Sequence, residues 1–283
     1  MLTVYKSMKV GVFYTPNPRT EHKWILDAMY KGVSKHEDCF SANEYKYQEC
    51  DVSVNWGIYK KHVPKTIIRK RIQNHQRELN KKCVVLEKGY IHRNRYYSVG
   101  YNSQNGWADF NNKNMPRDRW AQLNTKIKDY RKNGDHIVLC GQVPWDSAVQ
   151  HVDYKKWCAD IVQKIKQHSD RKIIFRPHPL AKGAIPKLEG ATFSDKKTIQ
   201  EDLINCWAVV AFNSNSSVEA LLEGIPSFVC DNGSMAFDVS NKDFSLLENP
   251  KLYDLTQWSN NLAYTQWTIG EITNGEAWQH LKQ

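Results

Sequence analysis

Short runs of β-branched and aromatic residues alternate with amphipathic stretches along the chain, and this alternation restricts the possible folds more than any other feature. In the first half, runs at 9–15, 53–57 and 83–89 predict strands. Apolar residues at helical spacing predict helices at 20–33 and 63–79 between them. Strands separated by helices are typical of a parallel sheet that is covered by helices.

The second half of the chain repeats this alternation. The polar segment 111–135 lacks long apolar runs, so we expect the connection between two domains within it. We therefore predict an α/β chain of two doubly wound domains facing each other across a cleft, with boundaries 1–134 and 135–283. In the second domain we predict strands at 136–142, 207–214 and 227–231, a strand followed by a loop within 172–179, and helices at 154–167, 198–206 and 216–226.

Composition excludes several classes of protein. No apolar run approaches the roughly 20 residues that span a bilayer, and the first residues do not resemble a secretory signal. The seven cysteines form no CxxC pair, so neither a zinc site nor a disulfide framework is indicated. We expect buried thiols in a cytoplasmic protein.

Charge is divided unevenly between the two halves. Residues 1–134 contain 26 Lys and Arg against 12 Asp and Glu, whereas residues 135–283 contain 14 against 18. Within 60–95, twelve basic residues accompany only Glu78 and Glu87. This asymmetry indicates that the first half binds a polyanion, although a single charge run can also be a solvated helix face.

Four polar clusters each follow a predicted strand: EKGYIHR (87–93), GQVPWDS (141–147), RPHP (176–179) and NSNSS (213–217). In open α/β sheets, ligands bind beyond the carboxyl ends of the strands. We therefore predict that these clusters converge on one crevice, which would be the binding site.

The serine-rich cluster opens a helix directly after a strand. Hydroxyl groups of Ser214, Ser216 and Ser217, together with backbone N–H groups, can cradle an anion, or they can simply cap the helix. Glu219 and Glu223 lie within the same helix, where each could accept a hydrogen bond from a ribose or face solvent.

His178 stands between Pro177 and Pro179, which fix the backbone on either side of it. An imidazole presented in this way can donate a hydrogen bond to a phosphate or act as an acid. Arg176 before it and Lys182 after it add positive charge, so we predict both as further donor-binding residues.

These motifs resemble those of capsule-polysaccharide-type glycosyltransferases, the group that includes bacterial β-Kdo transferases and is related to polysialyltransferases. RPHPLAKG and FNSNSSVEALLEGIPSF are similar to the family's HP and serine motifs. LCGQVPWDSAV resembles its glutamine-and-aspartate segment, and VVLEKGYIHRNRYYSVG resembles a segment near the end of its first domain. AYTQWTIGEITNGEAWQHL suits a C-terminal helix that crosses back to that domain.

The resemblance implies a GT-B fold with two Rossmann-like domains and transfer of a sugar from a nucleotide-activated donor. It implies that His178 contacts the leaving phosphate, that Ser216 and Ser217 receive phosphate oxygens, and that Gln142 and Asp146 line the same cleft. No metal or cofactor is implied beyond the nucleotide-sugar co-substrate.

The catalytic base is less well defined. Where the family has an acidic pair before glycine, this chain has Glu87 followed by Lys88 and Gly89. Glu87 is one candidate to deprotonate the acceptor, although it could also be a plain ion-pair partner of Lys88. Asp109 is a second candidate.

The acceptor is predicted from the basic first half. We expect DNA carrying hydroxymethylated bases, because phosphate contacts need cations, aromatic rings can stack on an extruded base, and small members of the family resemble phage proteins. One alternative is an anionic surface polysaccharide, and another is a non-catalytic nucleic-acid-binding protein on the same scaffold. The predicted acceptor-binding residues are Lys60, Lys61, Arg69, Lys70, Arg71, Arg93, Arg95, Tyr96 and Trp107.

Overall fold

The computed structural model describes residues 7–181, 183–184 and 187–283, and the chain divides into two compact units. Unit 1 comprises Met1–Arg119 and Asn260–Gln283, and unit 2 comprises Trp120–Ser259. The division therefore lies earlier than the predicted boundary at 134. The reason is backbone pairing within unit 2, where Lys128 N–H donates to the Leu222 carbonyl and Arg131 N–H to the Gly224 carbonyl.

The strands of the described chain are β1 (Lys9–Tyr14), β2 (Asp38–Asn43), β3 (Val52–Trp56), β4 (Lys82–Lys88), β5 (Tyr96–Tyr101), β6 (His136–Cys140), β7 (Lys172–Arg176), β8 (Thr192–Phe193), β9 (Cys206–Ala211), β10 (Ser227–Val229) and β11 (Gln266–Thr268). Its helices are α1 (Thr20–Val33), α2 (Ile67–Glu78), α3 (Asp118–Gln122), α4 (Tyr154–Lys166), α5 (Ile199–Asp202), α6 (Ser216–Leu222), α7 (Thr256–Ala263), α8 (Ile269–Asn274) and α9 (Glu276–Leu281).

The sheet of unit 1 has the strand order β11-β5-β4-β3-β1-β2. β1 to β4 are parallel to one another, whereas β5 runs antiparallel to β4, and β11 runs antiparallel to β5. The prediction of a purely parallel sheet is therefore wrong at this side. The tyrosine-rich segment 96–101 was not among the predicted strands, yet all six residues of β5 are buried, and burial of the tyrosine rings favours a strand despite the flanking Asn residues.

Helices cover both faces of this sheet, as expected for a doubly wound unit. Val10 and Val12 of β1 belong to a core with Leu26 and Met29 of α1. Phe13, which points to the other face, packs with Ile72 of α2. Strand alternation thus divides the core of unit 1 into two layers.

Unit 2 contains a five-stranded sheet in the order β10-β9-β6-β7-β8, whose paired strands are all parallel. Ile137 and Leu139 of β6 pack in one core with Val162 of α4. Val138 and Cys140 lie in a second core on the other face. The predicted strands and helices of this half are all present, with bounds that differ by a few residues.

The C-terminal segment 260–283, expected as a returning helix, adds a strand and two helices to unit 1. Arg119 is buried against it, with its guanidinium 3.7 Å from the centre of the Trp267 ring. Arg119 Nη1 lies 2.7 Å from Glu271 Oε1, and Nη2 donates to the Gln266 carbonyl. The Arg119 side chain therefore holds β11 and the start of α8 in place.

Two further expectations can be compared with the structure. Five of the seven thiols are buried as predicted, while Cys39 is half-buried and Cys230 is exposed. Among the described residues, no helix combines the length and apolar character needed to cross a membrane.

Replacing Arg119 by Met should lower the free energy of unfolding by about 2–4 kcal/mol, because Glu271 would remain largely buried without its partner. Urea denaturation of both proteins measures this difference. Lys23→Met is the control, since its ion pair with Asp27 is exposed and should contribute under about 1 kcal/mol. Equal losses in the two variants would contradict this role of Arg119.

Candidate functional site

The strand order of unit 2 creates a crevice between the carboxyl ends of β6 and β9, where successive connections leave toward opposite sides. Gln142 follows β6 and Asn213 follows β9, and their side chains meet there. Gln142 Nε2 donates to Asn213 Oδ1 at 2.7 Å, and Asn213 N–H donates to Gln142 Oε1 at 3.1 Å. Both residues are buried. Gln142 therefore holds Asn213 in place at the crevice, whereas the sequence predicted that it contacts the donor.

This amide pair belongs to a longer buried network. Asn213 Nδ2 also donates to Asp231 Oδ1 at 2.8 Å and to the Ala148 carbonyl at 2.9 Å. Gln142 N–H donates to the Tyr154 hydroxyl at 2.7 Å. On the far side, His151 Nε2 lies 3.1 Å from Asp231 Oδ2. The network thus ends at an exposed imidazole, which the sequence did not single out.

His178 follows β7, the strand beside β6. Its ring accepts a hydrogen bond at Nδ1 from Leu180 N–H at 3.2 Å, and its carbonyl accepts one from Ala181 N–H at 2.8 Å. The loop after Pro179 therefore turns back and holds the half-buried imidazole at the carboxyl edge of the sheet, where the sequence predicts it.

Arg176 has a different position from the one predicted. Its Nη1 lies 2.5 Å from Asp202 Oδ2, and its guanidinium also donates to the carbonyls of Lys196 and Lys197. With these partners it stabilises the β7 and α5 region, so the structure does not support direct donor binding by Arg176. Lys182, also predicted to bind the donor, lies outside the described residues.

The serine cluster is divided by the first turn of α6. Ser214 and Ser216 are half-buried at the carboxyl edge, with their hydroxyl oxygens 3.1 Å apart. Ser217 is fully buried, and its hydroxyl has no hydrogen-bond partner among the described residues. The Ser214 and Ser216 hydroxyls are therefore partly exposed at this edge, whereas the Ser217 hydroxyl, also predicted to bind phosphate, is buried.

The remaining predicted residues of unit 2 have local partners. Asp146 Oδ1 accepts hydrogen bonds from Ala148 N–H and the Ser147 hydroxyl, which shapes the turn after β6. Glu219 Oε1 accepts a hydrogen bond from Asn215 Nδ2 at 3.3 Å. Glu223 forms an ion pair with Lys128 at 2.5 Å, whereas the sequence suggested that it binds a ribose or faces solvent.

Unit 1 has its own switch point, between β1 and β3. Gly57 follows β3 with φ of +63°, and a Cβ added there would lie 3.5 Å from Arg69 Nη1 and 3.6 Å from Glu87 Oε2. Glu87, at the end of β4, is therefore close to Arg69. Arg69 Nε binds the buried Glu44 at 2.8 Å, and burial raises the pKa of Glu44 against the opposing effect of that guanidinium.

Arg69 was predicted to bind DNA, but it is only 6% exposed and serves this buried pair. Tyr96 was predicted to stack on a base, yet it is buried in β5. Because β5 is antiparallel, Asp109 and Trp107 follow it at the sheet edge opposite to Glu87. The structure therefore separates the two predicted bases and leaves Glu87 as the candidate.

The start of α1 contributes residues that the sequence analysis did not identify. Glu21 binds Lys88 Nζ and accepts a hydrogen bond from the Tyr97 hydroxyl at 2.7 Å. His22 stacks on Trp56 with ring centres 4.4 Å apart. Burial, with Arg19 and Arg69 nearby, lowers the pKa of His22 to about 4. Their position at a helix start directly after β1 was the available sequence signal.

Exposed cations surround this edge of unit 1. The β3–α2 connection supplies Lys60 and Lys61, the first turns of α2 supply Lys70 and Arg71, and the β4–β5 connection supplies Arg93 and Arg95, all of them half-buried or exposed. Unit 1 contains 23 Lys and Arg against 13 Asp and Glu, while unit 2 contains 17 of each. The formal net charge of +10 therefore belongs to unit 1.

Among the described residues, no group of His, Cys, Asp and Glu is arranged to hold a metal ion.

Two solved structures of Thermosulfurimonas dismutans KpsC resemble the chain along nearly its whole length. The β-Kdo 2,4 transferase matches with a TM-score of 0.57 at 13% identity, and the β-Kdo 2,7 transferase with 0.51 at 11%. Each match covers 96% of this chain and 99% of the other. The chain has the GT-B fold of these transferases. No protein-family model and no curated protein sequence matches it.

Within this GT-B chain, the structure gathers the predicted residues at two sheet edges. Unit 2 brings together His178, Ser214, Ser216 and the Gln142–Asn213 pair, to which it adds His151 and Asp231. Each of these residues follows a parallel strand, and parallel strands end at a common edge.

The lowered pKa of His22 predicts a specific pH dependence of stability. An unfolded His22 takes up a proton below about pH 6.5, whereas the folded one stays neutral until about pH 4, so stability falls as the pH decreases through this window. Urea unfolding at pH 7 and pH 5 should show a smaller loss for His22→Gln than for the wild type. His62→Gln, at an exposed site, is the control; an unchanged loss in His22→Gln would refute the assignment.

Proposed function

We propose that the chain transfers a sugar from a nucleotide-activated donor to a hydroxyl group of an anionic acceptor. The observation that carries this proposal is the match to two β-Kdo transferases over 96% of the chain. The polar residues at the carboxyl edges of both sheets support it, because α/β sheets bind their ligands there.

Unit 2 would bind the donor. His178 would hydrogen-bond the leaving phosphate, and the Ser214 and Ser216 hydroxyls would bind its oxygens beside it. The bond between the sugar and the phosphate breaks, so negative charge develops on the phosphate oxygen. An imidazole and two hydroxyls that are already held in place can stabilise that charge without reorganising.

Unit 1 would bind the acceptor, and Glu87 would take the proton from its hydroxyl group as the new bond to the sugar forms. Glu87 lies near the carboxyl end of β4, beside Gly57 and Arg69. Its position at the edge where α/β sheets bind their ligands supports this role.

An anionic glycan is the acceptor that we favour. The cations around Glu87 suit repeated negative charges, and both matched structures are of Kdo transferases. DNA with hydroxymethylated bases is the second candidate, favoured by the location of the whole net charge on unit 1. DNA is the weaker candidate because the two residues predicted to stack on a base are not available at this edge. Tyr96 is buried, and Trp107 lies at the opposite edge of the sheet.

Donor turnover tests the reaction. The protein is incubated with UDP-, GDP- and CMP-sugars, including CMP-Kdo, and with anionic oligosaccharides or hydroxymethylated DNA duplexes, and products are analysed by mass spectrometry. We expect a product whose mass increases by one sugar, and His178→Ala should lower kcat by about 10²–10³-fold. His168→Ala is the control. Binding of DNA without turnover of any donor would instead identify a non-catalytic nucleic-acid-binding protein.

Charge reversal tests the acceptor surface. Lys70→Glu with Arg71→Glu should raise KM for an anionic acceptor by about tenfold or more and leave KM for the donor unchanged. Lys155→Glu with Lys156→Glu makes the same charge change on an exposed helix of unit 2 and should leave the acceptor KM unaffected. Equal effects of the two pairs would show that only the overall charge matters. Whether glycan or DNA accepts the sugar is decided by which product forms.

A further inference from the structure

We propose that His151, held by Asp231, binds the ribose-phosphate part of the sugar nucleotide. This inference rests on the proposed function and adds a ligand-binding residue that neither the sequence motifs nor the resemblance indicates. The ligand chemistry is an oxygen atom of the ribose or of the adjoining phosphate, which an imidazole can hydrogen-bond.

Asp231 is held in place by contacts other than His151. Its Oδ1 accepts hydrogen bonds from Asn213 Nδ2 and from Gly233 N–H, both at 2.8 Å. These two bonds already fix the carboxylate and its loop. The second oxygen, Oδ2, is directed at His151 Nε2 at 3.1 Å. A carboxylate held in this way fixes the orientation and the tautomer of the imidazole that it contacts.

The contact between His151 and Asp231 contributes little to the stability of the fold. The His151 side chain is 43% exposed, and a hydrogen bond to so exposed a side chain contributes about 1 kcal/mol or less to stability. The buried part of the network, from Tyr154 through Gln142 and Asn213 to Asp231, is complete without His151. Orientation of an accessible imidazole is therefore the main consequence of the Asp231–His151 contact.

His178 and the Asp231–His151 pair lie at separate points along the carboxyl edge of the unit 2 sheet. His178 follows β7 on one side of the switch point, and Asp231 follows β10 on the other, three strand spacings away. With neighbouring strands about 4.8 Å apart, the two sites are about 14 Å apart, too far for one phosphate to contact both. A nucleotide sugar is extended enough to do so, with its phosphate near Ser214 and His178 and its ribose toward His151.

The same loop also offers a surface for the base. Trp145, between Gln142 and His151 in the connection after β6, is 44% exposed. An exposed indole ring can stack on a nucleobase, since every base has an aromatic face. Trp145 is therefore a candidate to contact the base of the same nucleotide.

Binding of nucleotides to the full chain tests the proposal without an acceptor. Isothermal titration measures the affinities of CMP, UMP, UDP and GDP for the wild type, His151→Ala, His151→Gln and His168→Ala, the last being an exposed histidine elsewhere in unit 2. We expect about tenfold weaker binding for His151→Ala, partial recovery for His151→Gln and no change for His168→Ala. Thermal unfolding without nucleotide should be the same for all four proteins.

Further titrations with a nucleoside and with inorganic phosphate distinguish the two sources of the oxygen atom. A His151 effect on nucleoside binding assigns the contact to the ribose, and an effect on phosphate binding assigns it to the phosphate. In NMR spectra of histidine-labelled protein, nucleotide addition should shift the His151 ring signals, which a purely structural role would not produce.

The outcomes separate this inference from the proposed function. If the wild type binds a nucleotide, His178→Ala weakens that binding and His151→Ala does not, the role of His151 is refuted while the proposed function stands. If the wild type binds none of the nucleotides or sugar nucleotides, the proposed function fails, and the inference fails with it.

Discussion

The reciprocal hydrogen bonds between Gln142 and Asn213 are the interaction on which the candidate donor site depends. Two buried amides at the ends of neighbouring strands each need a partner, and each satisfies the other at the switch point of the unit 2 sheet. From this pair, hydrogen bonds extend to Tyr154 on one side and Asp231 on the other. A polar network that is fully paired is rigid, so the loops after β6, β9 and β10 are held in fixed relative positions.

In unit 1, a buried ion pair rather than a pair of amides lies near the carboxyl edge of the sheet. In this pair, Arg69 of α2 binds Glu44 just after β2. Removing two charges from water is unfavourable, and such a pair persists only when its geometry is good. Gly57, in the left-handed region, leaves the space beside Arg69 and Glu87 free of a side chain. The α2 helix, the turn at Gly57 and strand β4 thus place the Glu87 carboxylate close to Arg69.

The distribution of charge gives the two units different roles. A unit with no net charge binds through a few placed polar groups, whereas a unit with a net charge of +10 attracts any extended anion over a distance set by screening. The sequence already showed this asymmetry, but it could not show which cations are available. Arg69 and Arg119, both buried in ion pairs, do not contribute to an exposed basic surface.

The sequence by itself determined the alternation of strands and helices, the second sheet and the location of His178 and the serines after strands, because these features depend on local spacing. It missed β2, β5, β8 and β11, and with β5 and β11 the antiparallel side of the first sheet, because the pairing of a strand with its neighbours depends on more than its own composition. Only the tertiary structure decided that Asp109 lies opposite Glu87, that Arg69 and Ser217 are buried, and that Asp231 meets His151. The Arg69–Glu44 pair and the Asp231–His151 contact join residues far apart in the chain, and the position of Asp109 depends on the direction of β5; local composition encodes neither.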